Sequence, residues 1–167
     1  MKTKIIAAAA LAAASLTAAP AGADDLSDIE ATINAVYAVI SGPVGEARDF
    51  DAMRGLYMEG AAMGAVGPGD DGQGRGRIIT LDDYIATSGP RLAELGFIER
   101  PTRTEITRYG EIAYARSAYE GVRSDTGEVF VTGVNFITLF KVGGEWKVAS
   151  ILWRSADEAW PVDRAFD

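Results

Sequence analysis

The chain contains neither histidine nor cysteine. That removes the usual zinc ligands and the Ser-His-Asp and Cys-His nucleophilic systems. Proton transfer near neutral pH is left to Asp, Glu, Tyr, Lys or water. Glu105 and Glu120 lie in strand-patterned sequence, while Asp49, Asp51 and Glu59 flank a short helix. A carboxylate enclosed by apolar side chains keeps its proton to higher pH and can serve as acid or base. Glu105 is the first candidate, and a solvated surface acid or helix cap is the ordinary alternative for each of them. Arg116 and Arg154 interrupt apolar strands. Each could grip a carboxylate through two parallel hydrogen bonds, or simply pair with a neighbouring acid. Tyr37, Tyr57, Met58, Met63, Tyr84, Phe97 and Trp153 could line a pocket for a flat ligand or fill an ordinary core.

No cofactor motif accompanies these residues. Gly67 to Arg77 (GPGDDGQGRGR) is rich in glycine. It lacks the GxGxxG spacing and the strand-turn-helix setting of a dinucleotide cradle, and reads instead as a flexible lip over a cavity mouth. No metal, flavin, nicotinamide or nucleotide is implied. The net charge of −8 would repel a polyanion, which argues against nucleic-acid binding.

The start of the chain has the order of an export signal. Met1-Lys2-Thr3-Lys4 is basic, Ile5 to Ala19 is apolar or small, and Ala21-Gly22-Ala23 is small-x-small. Residues 1–23 are therefore expected to be a signal peptide, cut between Ala23 and Asp24, with a periplasmic or secreted domain over residues 24–167. The apolar run falls short of the roughly 20 residues that a spanning helix needs. No membrane span is expected after cleavage.

Leu26, Ile29, Ile33, Val36, Tyr37 and Ile40 recur at helical spacing, with Ser27 and Glu30 as a candidate capping box. A second helix is expected around Asp51 to Met58, and a third from Thr80 to about Leu95, broken or kinked near Ser88-Gly89 by Pro90. Between them, Gly60 to Gly76 is the least patterned stretch. A long strand is expected from Glu105 to Gly121, bent near Tyr109-Gly110. Further strands follow over Val129 to Val142 and Trp146 to Arg154, joined through Gly143-Gly144. Helices followed by long antiparallel strands give an α+β domain whose curled antiparallel sheet wraps around the N-terminal helices.

Four segments carry a resemblance to a known superfamily: Asp49 to Tyr57 (DFDAMRGLY), Ile112 to Glu120 (IAYARSAYE), Gly133 to Leu139 (GVNFITL), and Gly144 to Val148 (GEWKV) leading to Leu152-Trp153. In this order they resemble the nuclear transport factor 2-like superfamily, which includes ketosteroid isomerase, scytalone dehydratase and SnoaL-type polyketide cyclases. The resemblance implies a cystatin-like cone. It also implies that the Ser-x-Tyr and Gly-x-Asn positions face the enclosed side, which would place Ser117, Tyr119 and Asn135 in the pocket. Those groups could equally bond one another and only hold the sheet together. The resemblance implies that chemistry of the scytalone dehydratase kind relies on histidine, which this chain lacks. Isomerase or cyclase chemistry with a carboxylate base stays open.

Tyr57, Ser117, Tyr119, Asn135 and Trp153 are thus the expected ligand-binding set, with a small apolar or aromatic molecule as the ligand. Val134, Phe136 and Phe140 make the second face of their strand apolar too. A homodimer through the sheet face, as is common in the superfamily, would cover it. Three functions follow: an exported small-molecule binder, a cofactor-independent isomerase, cyclase or dehydratase, or a structural dimerisation module.

Overall fold

A computed structural model describes residues 21–167; the leader expected over residues 1–23 lies almost wholly outside them. Helix α1 (Ala21–Ile40) is followed by α2 (Phe50–Leu56), β1 (Tyr57–Pro68), β2 (Gly74–Thr80) and α3 (Leu81–Leu95). Four long strands complete the sheet: β3 (Phe97–Tyr109), β4 (Ile112–Arg123), β5 (Val129–Val142) and β6 (Glu145–Ser155). A 3₁₀ turn at Val162–Ala165 ends the chain. The six strands lie in the order β2-β1-β6-β5-β4-β3, in an open sheet. No helix among the described residues is long and apolar enough to cross a membrane.

The α1 stripe is buried from Ile29 to Ile40, while Leu26 is exposed. It shares one core with Ala113 and Ala115 of β4, Ile137 and Leu139 of β5, and Val148 and Ile151 of β6. Small residues at 113 and 115 let the helix approach the concave face closely. Asp25 ties the start of α1 to three strands. Its carboxylate pairs with Arg108 at 2.6 Å and with Lys141, and accepts from Trp146 Nε1 at 3.3 Å. The Lys141 hydrogen bond above all holds that carboxyl below its ordinary value.

Five expectations need correction. The strand expected from Glu105 to Gly121 is two antiparallel strands, because Gly110 adopts φ +58° and reverses the chain where only a bend was expected. Most of the supposed lip is strand: β1 and β2 pair from Ala62–Thr80 to Pro68–Gly74, leaving a short turn. Just before that lip, Gly64 serves close packing, since a Cβ there would lie 2.5 Å from the Arg77 carbonyl oxygen, whereas Gly67, Gly72 and Gly74 have open space where a Cβ would go. The sheet is mixed, because β1 pairs parallel to β6, its neighbour in space and not in sequence. Helix α3 continues to Leu95 across Pro90, with Gly89 packed against the Phe50 ring. Ser27 and Glu30 lie inside α1 and do not cap it, whereas Thr80 and Asp83 form a true capping box on α3.

Arg48, buried in the turn after α1, was not singled out by its sequence context. Its guanidinium donates to the carbonyls of Ile40 (3.0 Å), Gly42 (2.8 Å), Leu92 (2.9 Å) and Glu46. Ile40 and Leu92 lie in the last turns of α1 and α3, where helix carbonyls carry partial negative charge; the Leu92 carbonyl also accepts from the Gly96 N–H that caps α3. One side chain therefore closes two helix ends. Arg48→Met should lower the unfolding free energy by about 2–4 kcal/mol in urea titration, since several buried carbonyls lose their donor. A loss below about 0.5 kcal/mol would show that water replaces the guanidinium freely.

Candidate functional site

The curl of the sheet holds its middle away from α1 and α3. The space between them is a cavity of about 290 Å³ that opens to solvent. Tyr84, Ser88, Arg91, Leu92 and Leu95 present one face of α3 to it, at the three- and four-residue spacing of a helix. The walls are mostly apolar, including Val36, Met53, Met63, Phe97, Val131 and Ile151. A few polar groups in such walls are what a small-molecule site requires.

Glu99 of β3 is the carboxylate in this cavity. Ser41, just past α1, fixes its backbone by accepting from the Glu99 N–H at 2.9 Å and donating to its carbonyl at 3.2 Å. The side chain keeps partial exposure because it faces the open cavity. Enough protein surrounds it that burial pushes the carboxyl up to about 7 from an ordinary 4.5, against the opposing effect of a hydrogen bond from Asn135.

Asn135 joins that carboxyl to α1. Its Nδ2 donates to Glu99 Oε1 and to the Tyr37 hydroxyl, both at 3.0 Å. Tyr37 donates onward to Ser117 Oγ at 2.7 Å, and Ser117 meets Thr104 Oγ1 at 2.8 Å. Burial pushes the Tyr37 hydroxyl up to about 12. Burial likewise raises Tyr57, Tyr84 and Tyr119, so all four tyrosines stay protonated donors at neutral pH. The Tyr57 hydroxyl is buried among these groups without any hydrogen-bond partner. An orphaned hydroxyl costs about 1–3 kcal/mol, which a bound acceptor would recover.

Of the residues expected from sequence, Tyr57, Tyr119, Asn135 and Trp153 line the cavity together. Trp153 meets Tyr84 edge to face, with ring centroids 6.2 Å apart. Tyr119 is accommodated by Gly133, where a Cβ would lie 2.6 Å from its hydroxyl. Ser117 does not reach the cavity; it is fully buried behind Tyr37, where it holds the phenol. Glu105 lies elsewhere altogether. It is paired with Arg103 at 2.5 Å and Arg116 at 2.6 Å, which hold its carboxyl below the ordinary range. An anion already neutralised by two guanidiniums is a poor base. Arg116 and Arg154 take the pairing role, the latter with Asp157 at 2.6 Å.

Sequence reasoning missed Glu99 and the α3 pair Ser88 and Arg91. The signal for Glu99 was its place at the second step after Phe97, directly beyond the Gly96 cap. Reading a strand from Phe97 would have turned both residues inward.

No family model matches the sequence, and no curated protein does. Solved structures do match. A nuclear transport factor 2-like protein with a cystatin-like fold from Novosphingobium aromaticivorans is 16% identical with a TM-score of 0.63, covering 81% of this chain and 84% of that one. A candidate dehydratase of the nuclear transport factor 2-like family from Streptomyces avermitilis is 13% identical with a TM-score of 0.62, covering 81% and 99%. This chain has the nuclear transport factor 2-like, cystatin-like fold. A candidate ketosteroid isomerase from Shewanella frigidimarina, 15% identical, aligns with a TM-score of 0.51 over 74% of this chain and 91% of that one. Other matching nuclear transport factor 2-like proteins are of unknown function.

The raised carboxyl has a definite consequence for stability. A folded value of about 7 against an ordinary 4.5 means that the charged form is disfavoured in the fold. Its stabilising contribution is complete below about 4.5 and is lost as pH rises through 7. Glu99→Gln, which cannot ionise, should gain on the parent between these limits. By pH 9 the gain should reach about 1–2 kcal/mol, after discounting for partial solvation. Chemical denaturation of both proteins at pH 4, 7 and 9 checks this, and a constant difference would refute the shift.

Proposed function

We propose that the cone cavity binds a small, mostly apolar or aromatic molecule bearing a carbonyl or hydroxyl oxygen, and that Glu99 moves a proton to or from it without a cofactor. The observation that carries this is a carboxyl near neutrality inside an apolar cavity, with Asn135 fixing its direction. A group titrating near the working pH offers both protonation states. As carboxylate, Glu99 can take a proton from the carbon beside a carbonyl. The Tyr57 hydroxyl, otherwise unpartnered, can donate to the oxygen on which charge gathers. Returning the proton to another carbon is isomerisation; giving it to a departing hydroxyl is dehydration. The names of the Streptomyces and Shewanella neighbours fit these classes.

Proton exchange tests this without knowledge of the natural substrate. The α-hydrogens of 2-tetralone in heavy water, followed by NMR, should exchange faster with the protein. Acceleration should follow a group titrating near 7 and fall by about 100-fold or more in Glu99→Gln. Binding of the ketone without faster exchange would instead support a plain carrier, the reading that the unpartnered Tyr57 hydroxyl also favours.

The leader pattern supports an exported protein, in the periplasm or secreted. Cleavage before Asp24 would keep Asp25, and with it the contacts to Arg108, Lys141 and Trp146. On the convex sheet face, the C-terminal segment covers part of β5, with Arg116 donating to the Ala165 carbonyl and Phe166 lying against Arg103. Ile112, Tyr114, Phe140 and Leu152 remain exposed beside it, and a second copy of the chain would cover them. Light scattering of residues 24–167 should give twice the chain mass, and Tyr114→Glu with Phe140→Glu should halve it. A monomer at all concentrations rejects the dimer.

A further inference from the structure

We infer that the ligand of this cavity is an anion: an aromatic or apolar body ending in a carboxylate, seated body-first with the carboxylate held by Arg91 at the mouth. The inference rests on the reading that the cavity takes a small molecule, and adds the charge and direction of that molecule. Three observations converge on it.

The first is the position of Arg91. It lines the cavity from α3, is exposed, and has neither an acid nor a carbonyl within bonding distance among the described residues. Most other arginines are occupied: Arg54, Arg75, Arg100, Arg103, Arg108, Arg116, Arg123 and Arg154 all hold acids, and Arg48 holds carbonyls, while Arg77 of β2 is exposed and does not line the cavity. Arg91 is thus a cavity-lining guanidinium that no acid of the described residues neutralises. Ser88 lies one turn earlier on the same cavity-facing side and supplies a hydroxyl next to it. A planar carboxylate suits that pair, with the guanidinium fork taking both oxygens.

The second is the unpartnered Tyr57 hydroxyl in the cavity wall, which calls for an oxygen acceptor on the buried part of the ligand. The third is Glu99, whose ionised form would repel a carboxylate pushed inward past the tyrosines. The charged end therefore stays outside, where water and Arg91 solvate it. The body lies between Trp153, Tyr84 and the apolar walls. A second cavity of about 200 Å³ under the C-terminal segment is the competing anion site, because Arg154 and Arg164 line it. Arg154 already holds Asp157 and Arg164 donates to the Ala159 carbonyl, so neither guanidinium is as free as that of Arg91.

The test uses 2-naphthoate and 2-naphthamide, the same rings with and without charge. Both are titrated into isotopically labelled protein, with NMR shifts of the Trp153 indole N–H and the Arg91 amide as readouts. The naphthoate should bind roughly fivefold more tightly than the amide at low salt, the scale of a solvent-accessible ion pair. Arg91→Gln should erase that preference while leaving the amide within about twofold, and Arg164→Gln should change neither. Equal binding of the two compounds, or a loss shared by both in Arg91→Gln, overturns the anionic reading and leaves the cavity reading standing. A preference that follows Arg164 overturns it too, by placing the anion on the convex face. Absence of shifts at Trp153 with either compound overturns the cavity reading along with it.

Discussion

Much of this molecule turns on the amide of Asn135. Its two N–H groups reach a carboxyl on β3 and a phenol on α1, so one planar group sets the distance between the helix and two strands. Hydrogen bonds of this kind are worth little beside the hydrophobic terms, but a broken one strands buried polar atoms. The fold is thereby restricted to geometries in which Tyr37, Ser117, Thr104 and Glu99 all keep their partners. That restriction also keeps the cone open. If α1 settled onto the sheet to fill the cavity, Tyr37 and Asn135 would lose their alignment.

Closing the ends of this arrangement falls to charged groups in unusual places. Arg48 gathers carbonyls from the last turns of α1 and α3, and Asp25 gathers cations from β3 and β5 at the far end of α1. Neither contact lies in the cavity. Between them they fix both ends of α1, the helix that carries Tyr37. The cavity groups are free to be poorly satisfied because the frame around them is well satisfied. Glu99 with its raised carboxyl and Tyr57 with its unused hydroxyl are where local stability is given up.

The two carboxylates Glu99 and Glu105 lie on the same strand and have opposite characters. Glu105 is held ionised by Arg103 and Arg116, while the Glu99 carboxyl has one amide donor and no guanidinium paired with it. The difference is one of surroundings, because the residue type and the strand are the same. Glu105 is paired by Arg103 of its own strand and by Arg116 of β4, whereas Glu99 is met by Asn135 of β5; the cross-strand partners are brought up by sheet register.

The sequence by itself determined the absence of histidine and cysteine chemistry, the α1 stripe, the apolar β5, the hairpin at Gly143-Gly144 and the start of α3 at Thr80. These depend on local periodicity or on residue type, which need no knowledge of distant neighbours. It also carried the likeness that placed Tyr119 and Asn135 inward. Only the tertiary structure decided that β1 lies parallel to β6, that Gly60 to Gly76 is mostly strand, and that Ser117 is hidden behind Tyr37. It alone separated Glu99 from Glu105 as the acid inside the cone. A carboxyl's value is set by what surrounds it in space, and those surroundings are assembled from β3, β5 and α1, segments far apart along the chain.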